Sequence, residues 1–155
     1  MAENIAILLG NSNYKSLNQL DCVIKDIAEM KKLIMATEKF SDIYVYLDRP
    51  ISEVKDEMKA VARMHNHTAE LFFYFSGHGL SDQDNFYMCF SDFNEETPNR
   101  SGLSRDEAYN ILREFNPIQT IVVIDACASG GNLIKSGVDF LGSGPINPLE
   151  ASRAA

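Results

Sequence analysis

Short apolar runs alternate with amphipathic stretches along most of the chain, and that alternation predicts its elements. Ile5-Ala6-Ile7-Leu8-Leu9 is continuously apolar, ends at Gly10 and predicts a buried strand. Ile24, Ile27, Met30, Leu33 and Ile34 then recur at helical spacing, with Asp26, Glu29, Lys31 and Lys32 between them. Ile43-Tyr44-Val45-Tyr46-Leu47 predicts a second strand, closed by Asp48-Arg49-Pro50. Ile51, Val54, Met58 and Val61 mark a second amphipathic helix. Leu71-Phe72-Phe73-Tyr74-Phe75 is apolar on both faces, as a central strand requires. Phe86 to Phe93 alternates only roughly and fits a short hairpin. Ser104-Arg105-Asp106-Glu107 matches a capping box opening a helix through Leu112, and Thr120-Ile121-Val122-Val123-Ile124 is the fourth strand.

This order predicts an α/β domain with a mostly parallel sheet and helices on both faces. From about Ser136 the composition shifts to Gly, Pro, Ser and Ala without periodicity. The chain therefore divides into a domain over 1–135 and a tail or linker over 136–155. Ligands of open α/β sheets bind beyond the carboxyl ends of the strands. Two glycine-flanked segments fall there, Ser76-Gly77-His78-Gly79 after the third strand and Asp125-Ala126-Cys127-Ala128-Ser129-Gly130-Gly131 after the fourth. If the strand order begins 2-1-3-4, those two strands are neighbours and His78 sits beside Cys127. A thiol is a nucleophile only as thiolate, and an imidazole within reach is a common activator. Flanking glycines let the backbone approach a substrate.

Composition narrows the function. A 155-residue chain with 45% apolar and 23% charged residues is an ordinary globular domain with a core of its own. Its net charge of −8 argues against nucleic acid or an anionic membrane as partner. Three cysteines without CxxC spacing fit reduced thiols, hence an expected cytoplasmic location; residues 1–20 lack a basic region followed by a long apolar stretch, so no signal peptide is expected, and no apolar run approaches membrane-spanning length. Competing chemistries lack their residues. A cysteine phosphatase needs arginine six residues after the nucleophile, where Leu133 stands. His65 and His67 make no zinc motif and are expected to be solvated. Gly10-Asn11-Ser12-Asn13 lacks the spacing of a nucleotide-binding loop.

Ser76-Gly77-His78-Gly79 and Asp125-Ala126-Cys127-Ala128-Ser129-Gly130 resemble the two active-site motifs of caspase-like cysteine peptidases, closest to the metacaspase and bacterial caspase-homologue branch. His78 precedes Cys127 by 49 residues, and caspases place their histidine about 50 residues upstream. Ile7 to Tyr14 and Asp26 to Met30 resemble the family's first strand and first helix, so the likeness runs from about Ile5 to Gly131. The resemblance implies a three-layer caspase-like fold and a cysteine endopeptidase acting on proteins or peptides. Cys127 is then the nucleophile, His78 the acid–base, and the backbone N–H groups of Gly79 and Cys127 the oxyanion hole. No third catalytic side chain is evident, leaving a backbone carbonyl or water to orient the imidazole.

Further expectations depend on that resemblance. The family's smaller C-terminal part, which adds two strands, is not found, so the chain reads as the large-subunit portion and needs that part as partner. Asp26, Ser76 and Asp125 match metacaspase positions lining a pocket for arginine or lysine at P1, the residue on the amino side of the cut bond. The segment Lys15 to Leu20 has no arginine to hold an acidic P1 residue. Lys135 and Arg153 are candidate processing sites. No cofactor or metal is expected. Ca2+ activates some metacaspases, and Asp82, Asp84, Asp92, Glu95 and Glu96 form an acidic cluster without an EF-hand pattern. The competing functional class is a catalytically silent interaction or regulatory module on the same fold.

Overall fold

The computed structural model describes residues 2–82, 85–126, 136–142 and 151–153. Strand β1 (Glu3–Gly10) lies one in from the edge of the sheet, flanked in parallel by β2 (Asp42–Leu47) and β3 (Thr68–Gly77). Strand β7 (Gln119–Ala126) runs parallel to β3, so the order β2-β1-β3-β7 meets the condition for His78 and the approach to Cys127 to be neighbours. Period-two alternation sends the two sides of β1 into different cores. Ile5, Ile7 and Leu9 pack with α2 (Ile51–Met64) and α4 (Arg105–Arg113), whereas Ala6 and Leu8 pack with α1 (Cys22–Ala36). Three layers result, with both faces of the central strands buried.

The predicted hairpin is a separate three-stranded sheet that starts earlier than expected. It comprises β4 (Gly79–Asp82), β5 (Asn85–Cys89) and β6 (Gly102–Ser104), the last preceded by the short helix α3 (Pro98–Ser101). Alternate residues of β5 serve both cores, Phe86 and Met88 on one side, Tyr87 and Cys89 on the other. Its first strand begins one residue after His78, so this small sheet holds the histidine loop from behind.

The stretch read as a tail contains two strands. Strand β8 (Ser136–Gly142) pairs antiparallel with β7, and β9 (Ala151–Arg153) pairs with β8, extending the main sheet to six strands. Backbone bonding to an existing central strand requires little side-chain pattern, and Ser-Gly-Val-Asp-Phe-Leu-Gly supplies little.

Ser104 caps α4 as predicted, its Oγ accepting the Glu107 N–H at 3.1 Å. The Glu107 carboxylate reaches across to Lys55 Nζ of α2 at 2.9 Å. Ser104→Ala is therefore expected to lower stability by about 1 kcal/mol in a denaturant titration. An unchanged midpoint would show the cap to be idle.

Candidate active site

Chain register brings the two motifs together at the carboxyl edge of the sheet. Gly77, just before His78, is the pairing partner of Ala126, just before Cys127, and Ser76 pairs with Asp125. A Cβ on Gly79 would lie 2.6 Å from Phe86 Cζ and 3.3 Å from the Ala126 side chain, so Phe86 leaves no room for a side chain where the β3–β4 junction meets the end of β7. Cys127 itself and Lys135 lie outside the described residues.

His78 is 7% exposed and held through both its backbone and its ring. Its backbone N–H donates to Tyr14 Oη at 2.9 Å and its carbonyl accepts the Cys89 N–H at 2.8 Å. Its Nε2 is 2.8 Å from the Asn18 carbonyl oxygen. A carbonyl only accepts, so Nε2 carries a proton, which leaves Nδ1 as the nitrogen able to take up or release another. The Asn18 backbone carbonyl is therefore an orienting group for the imidazole.

Asp26, Ser76 and Asp125 also converge. Ser76, fully buried, donates its hydroxyl to Asp26 Oδ2 at 3.1 Å, and Tyr74 Oη donates to Asp125 Oδ2 at 3.4 Å. Burial, then the neighbouring Asp26 charge, push the Asp125 carboxyl above its ordinary range, while the Tyr74 bond opposes the shift. The Tyr74 hydroxyl is itself driven upward by burial and by both carboxylates, and stays protonated as a donor. Two half-buried carboxylates within each other's field favour a cation between them.

Other expectations fare differently. Arg153 closes β9 opposite Ser136, a paired position rather than a loose tail. His67 is exposed, but His65 is only 8% exposed. Its Nδ1 lies 2.6 Å from Glu3 Oε2 and its Nε2 lies 2.8 Å from Tyr44 Oη, with Asp42 Oδ2 3.9 Å away. Among the described residues, Glu3, Asp42 and His65 form the one grouping of three metal-capable side chains. Both ring nitrogens already meet hydrogen-bond partners, so the cluster staples the end of α2 to the starts of β1 and β2. Of the acidic cluster, Asp84 and the side chain of Asp82 lie outside the described residues, and Asp92, Glu95 and Glu96 form no such grouping among those described.

Sequence reasoning missed Tyr74, which it read only as core, and the hold that the segment 11–20 between β1 and α1 has on His78. That segment supplies Tyr14 and the Asn18 carbonyl. The one available signal was density of Asn, Ser and Gln in a stretch without helical or strand period.

Comparison with known proteins gives the family and the fold. A relative, the paracaspase of Dictyostelium discoideum, is 24% identical over 135 residues, covering 84% of this chain and 32% of that protein. Protein GSU0716 from Geobacter sulfurreducens, a crystal structure, shares the fold with a TM-score of 0.61 at 21% identity, over 83% of this chain and 52% of that one. The chain thus spans about a third of the curated relative and about half of the structural neighbour. Among the described residues no helix is long and apolar enough to cross a membrane. The family model for the caspase domain of the C14 peptidases matches residues 3–152, and the chain belongs to that family.

Proposed function

We propose that this domain is a cysteine endopeptidase in which Cys127 attacks the scissile carbonyl and His78 moves the proton. The observation that carries the reading is a buried imidazole with Nε2–H on the Asn18 carbonyl, one residue beyond the strand pair that leads to Cys127. His78 takes the thiol proton on Nδ1 and returns it to the leaving amine, leaving a thioester that water then hydrolyses. The N–H groups of Gly79 and Cys127 are the proposed oxyanion donors, worth about 3 kcal/mol each by analogy with comparable sites. Protein or peptide substrates, a cytoplasmic setting, regulation of the metacaspase type and a completing small-subunit portion belong to the same reading. Asp26, Ser76 and Asp125 are proposed to hold an arginine or lysine side chain at P1. Digesting a mixture of unrelated peptides and mapping the cuts by mass is the test. Cuts after Arg and Lys that vanish in Cys127→Ala support the reading, and cuts that persist in that variant contradict it.

The raised Asp125 carboxyl adds a pH dependence. Its folded pKa exceeds the unfolded one, so its contribution to stability is present below the unfolded value and is lost as pH rises through the folded value. A P1 cation has the opposite preference, because it binds the carboxylate. KM for an arginine-P1 peptide is therefore expected to rise as pH falls through the Asp125 titration, and Asp125→Asn should flatten that rise. An equal rise in Asp125→Asn would assign it to another group.

A further inference from the structure

The segment 11–20 has no regular structure, yet Asn11, Ser12, Tyr14 and Leu20 in it are buried. It is tied down along its length. Asp48, which follows β2 with φ 54°, accepts the Ser12 N–H at 2.7 Å, the Asn13 N–H at 3.1 Å and the Ser12 hydroxyl at 2.6 Å. The Asp48 N–H in turn donates to the Gly10 carbonyl at 3.0 Å. The exposed Gln19 amide spans the turn, accepting the Tyr14 N–H at 3.0 Å and donating to the Tyr14 carbonyl at 2.7 Å. Lys15 N–H donates to the Ser91 carbonyl at 2.8 Å.

So fixed, the segment meets His78 at two places. Besides the Asn18 carbonyl on Nε2, it presents Tyr14, whose ring packs edge-on against the imidazole with centroids 4.6 Å apart at 70°. The Tyr14 hydroxyl accepts the His78 N–H at 2.9 Å and donates to the Cys89 carbonyl at 3.0 Å. One buried oxygen thus joins the β3–β4 junction to the end of β5. Burial, the largest effect on it, drives this phenol well above the ordinary tyrosine range, so it stays a neutral donor and acceptor. A Cβ on Gly77 would fall 2.7 Å from the same oxygen, so the site leaves no room beside it.

We propose that Tyr14 is a positioning residue for His78, holding the imidazole so that Nε2–H stays on the Asn18 carbonyl and Nδ1 stays basic. Its catalytic consequence rests on the peptidase reading; the geometry does not. Removing the hydroxyl leaves a buried N–H and a buried carbonyl without their partner, and the histidine backbone must move to find others. A general base contributes about 10²–10⁴-fold only while aligned, so loss of alignment is expected to lower kcat by at least about tenfold with little change in KM.

The test is Tyr14→Phe, read first in a Cys127→Ala background by 15N NMR of the imidazoles. The chain has three histidines, so substitution of His65 and His67 assigns the spectrum. The parent should show His78 as the Nε2–H tautomer, and Tyr14→Phe should show a mixture. Gln19→Ala, an exposed change that loosens Tyr14 without emptying the core, should shift the signals the same way by less. Phe115→Leu, buried at the opposite end of the sheet, supplies a matched loss of stability and should leave His78 unchanged. With Cys127 present, Tyr14→Phe should then show the fall in kcat. A His78 tautomer unaltered in both Tyr14→Phe and Gln19→Ala would overturn the proposal, as would a kcat in Tyr14→Phe no lower than in Phe115→Leu. A protein that cuts no peptide yet shows the tautomer shift would sink the peptidase reading and leave Tyr14 as the residue that positions His78.

Discussion

Cys127→Ala is expected to abolish peptide hydrolysis, and His78→Ala to slow it by about a hundredfold or more. The two losses differ in kind. Without Cys127 the proposed nucleophile is gone, and no change of pH restores the rate. Without His78 the thiol reverts toward its ordinary pKa of about 8.5, leaving a few per cent thiolate at neutral pH. The leaving amine must then take its proton from water. Residual activity in His78→Ala should therefore climb with pH across about 7 to 9, whereas the unmodified protein should lack that steep rise. Steady-state rates on a fluorogenic peptide over that range decide the matter. Equal activity in Cys127→Ala would remove the nucleophile, and a pH profile in His78→Ala like that of the unmodified protein would remove the base.

The second large effect is on P1 choice. Asp125 and Asp26 lie close enough for one charge to raise the other carboxyl, and no described cation is paired with either. An arginine side chain entering there gains two charge-assisted partners and relieves their repulsion. Truncating one partner of a desolvated charged pair costs about 2–5 kcal/mol, and the half-exposed Asp125 belongs at the low end of that range. Asp125→Ala is expected to cut kcat/KM for arginine-P1 peptides at least about tenfold. Asp125→Asn, which keeps the shape beside Tyr74 but not the charge, should lose nearly as much. Cleavage after Asp or Glu by the unmodified protein, or an unchanged Arg/Lys preference in Asp125→Ala, would remove the assignment.

The strands of the parallel core were readable because burial on both faces writes an unbroken apolar run, as in Leu71 to Phe75. Their carboxyl ends located His78 and the approach to Cys127 without any contact being known. The cap at Ser104 was equally local. What escaped depends on partners far away in sequence. Tyr14 and Asn18 matter because they meet His78 some sixty residues on, and Asp48 because it grips Ser12 and Asn13 across 35 positions or more. His65 was read as solvated because nothing nearby in sequence pairs with it, yet Glu3 and Tyr44 enclose it. Strand β8 borrows its order from β7 through backbone bonds, which leave no periodic trace.

The most direct measurement is covalent labelling by a short peptide carrying an electrophilic carbonyl and arginine at P1, followed by intact mass and peptide mapping. One adduct per chain is expected, on Cys127, abolished in Cys127→Ala and slowed about a hundredfold in His78→Ala. Labelling that falls equally on the exposed Cys22, or that ignores the loss of His78, would contradict it.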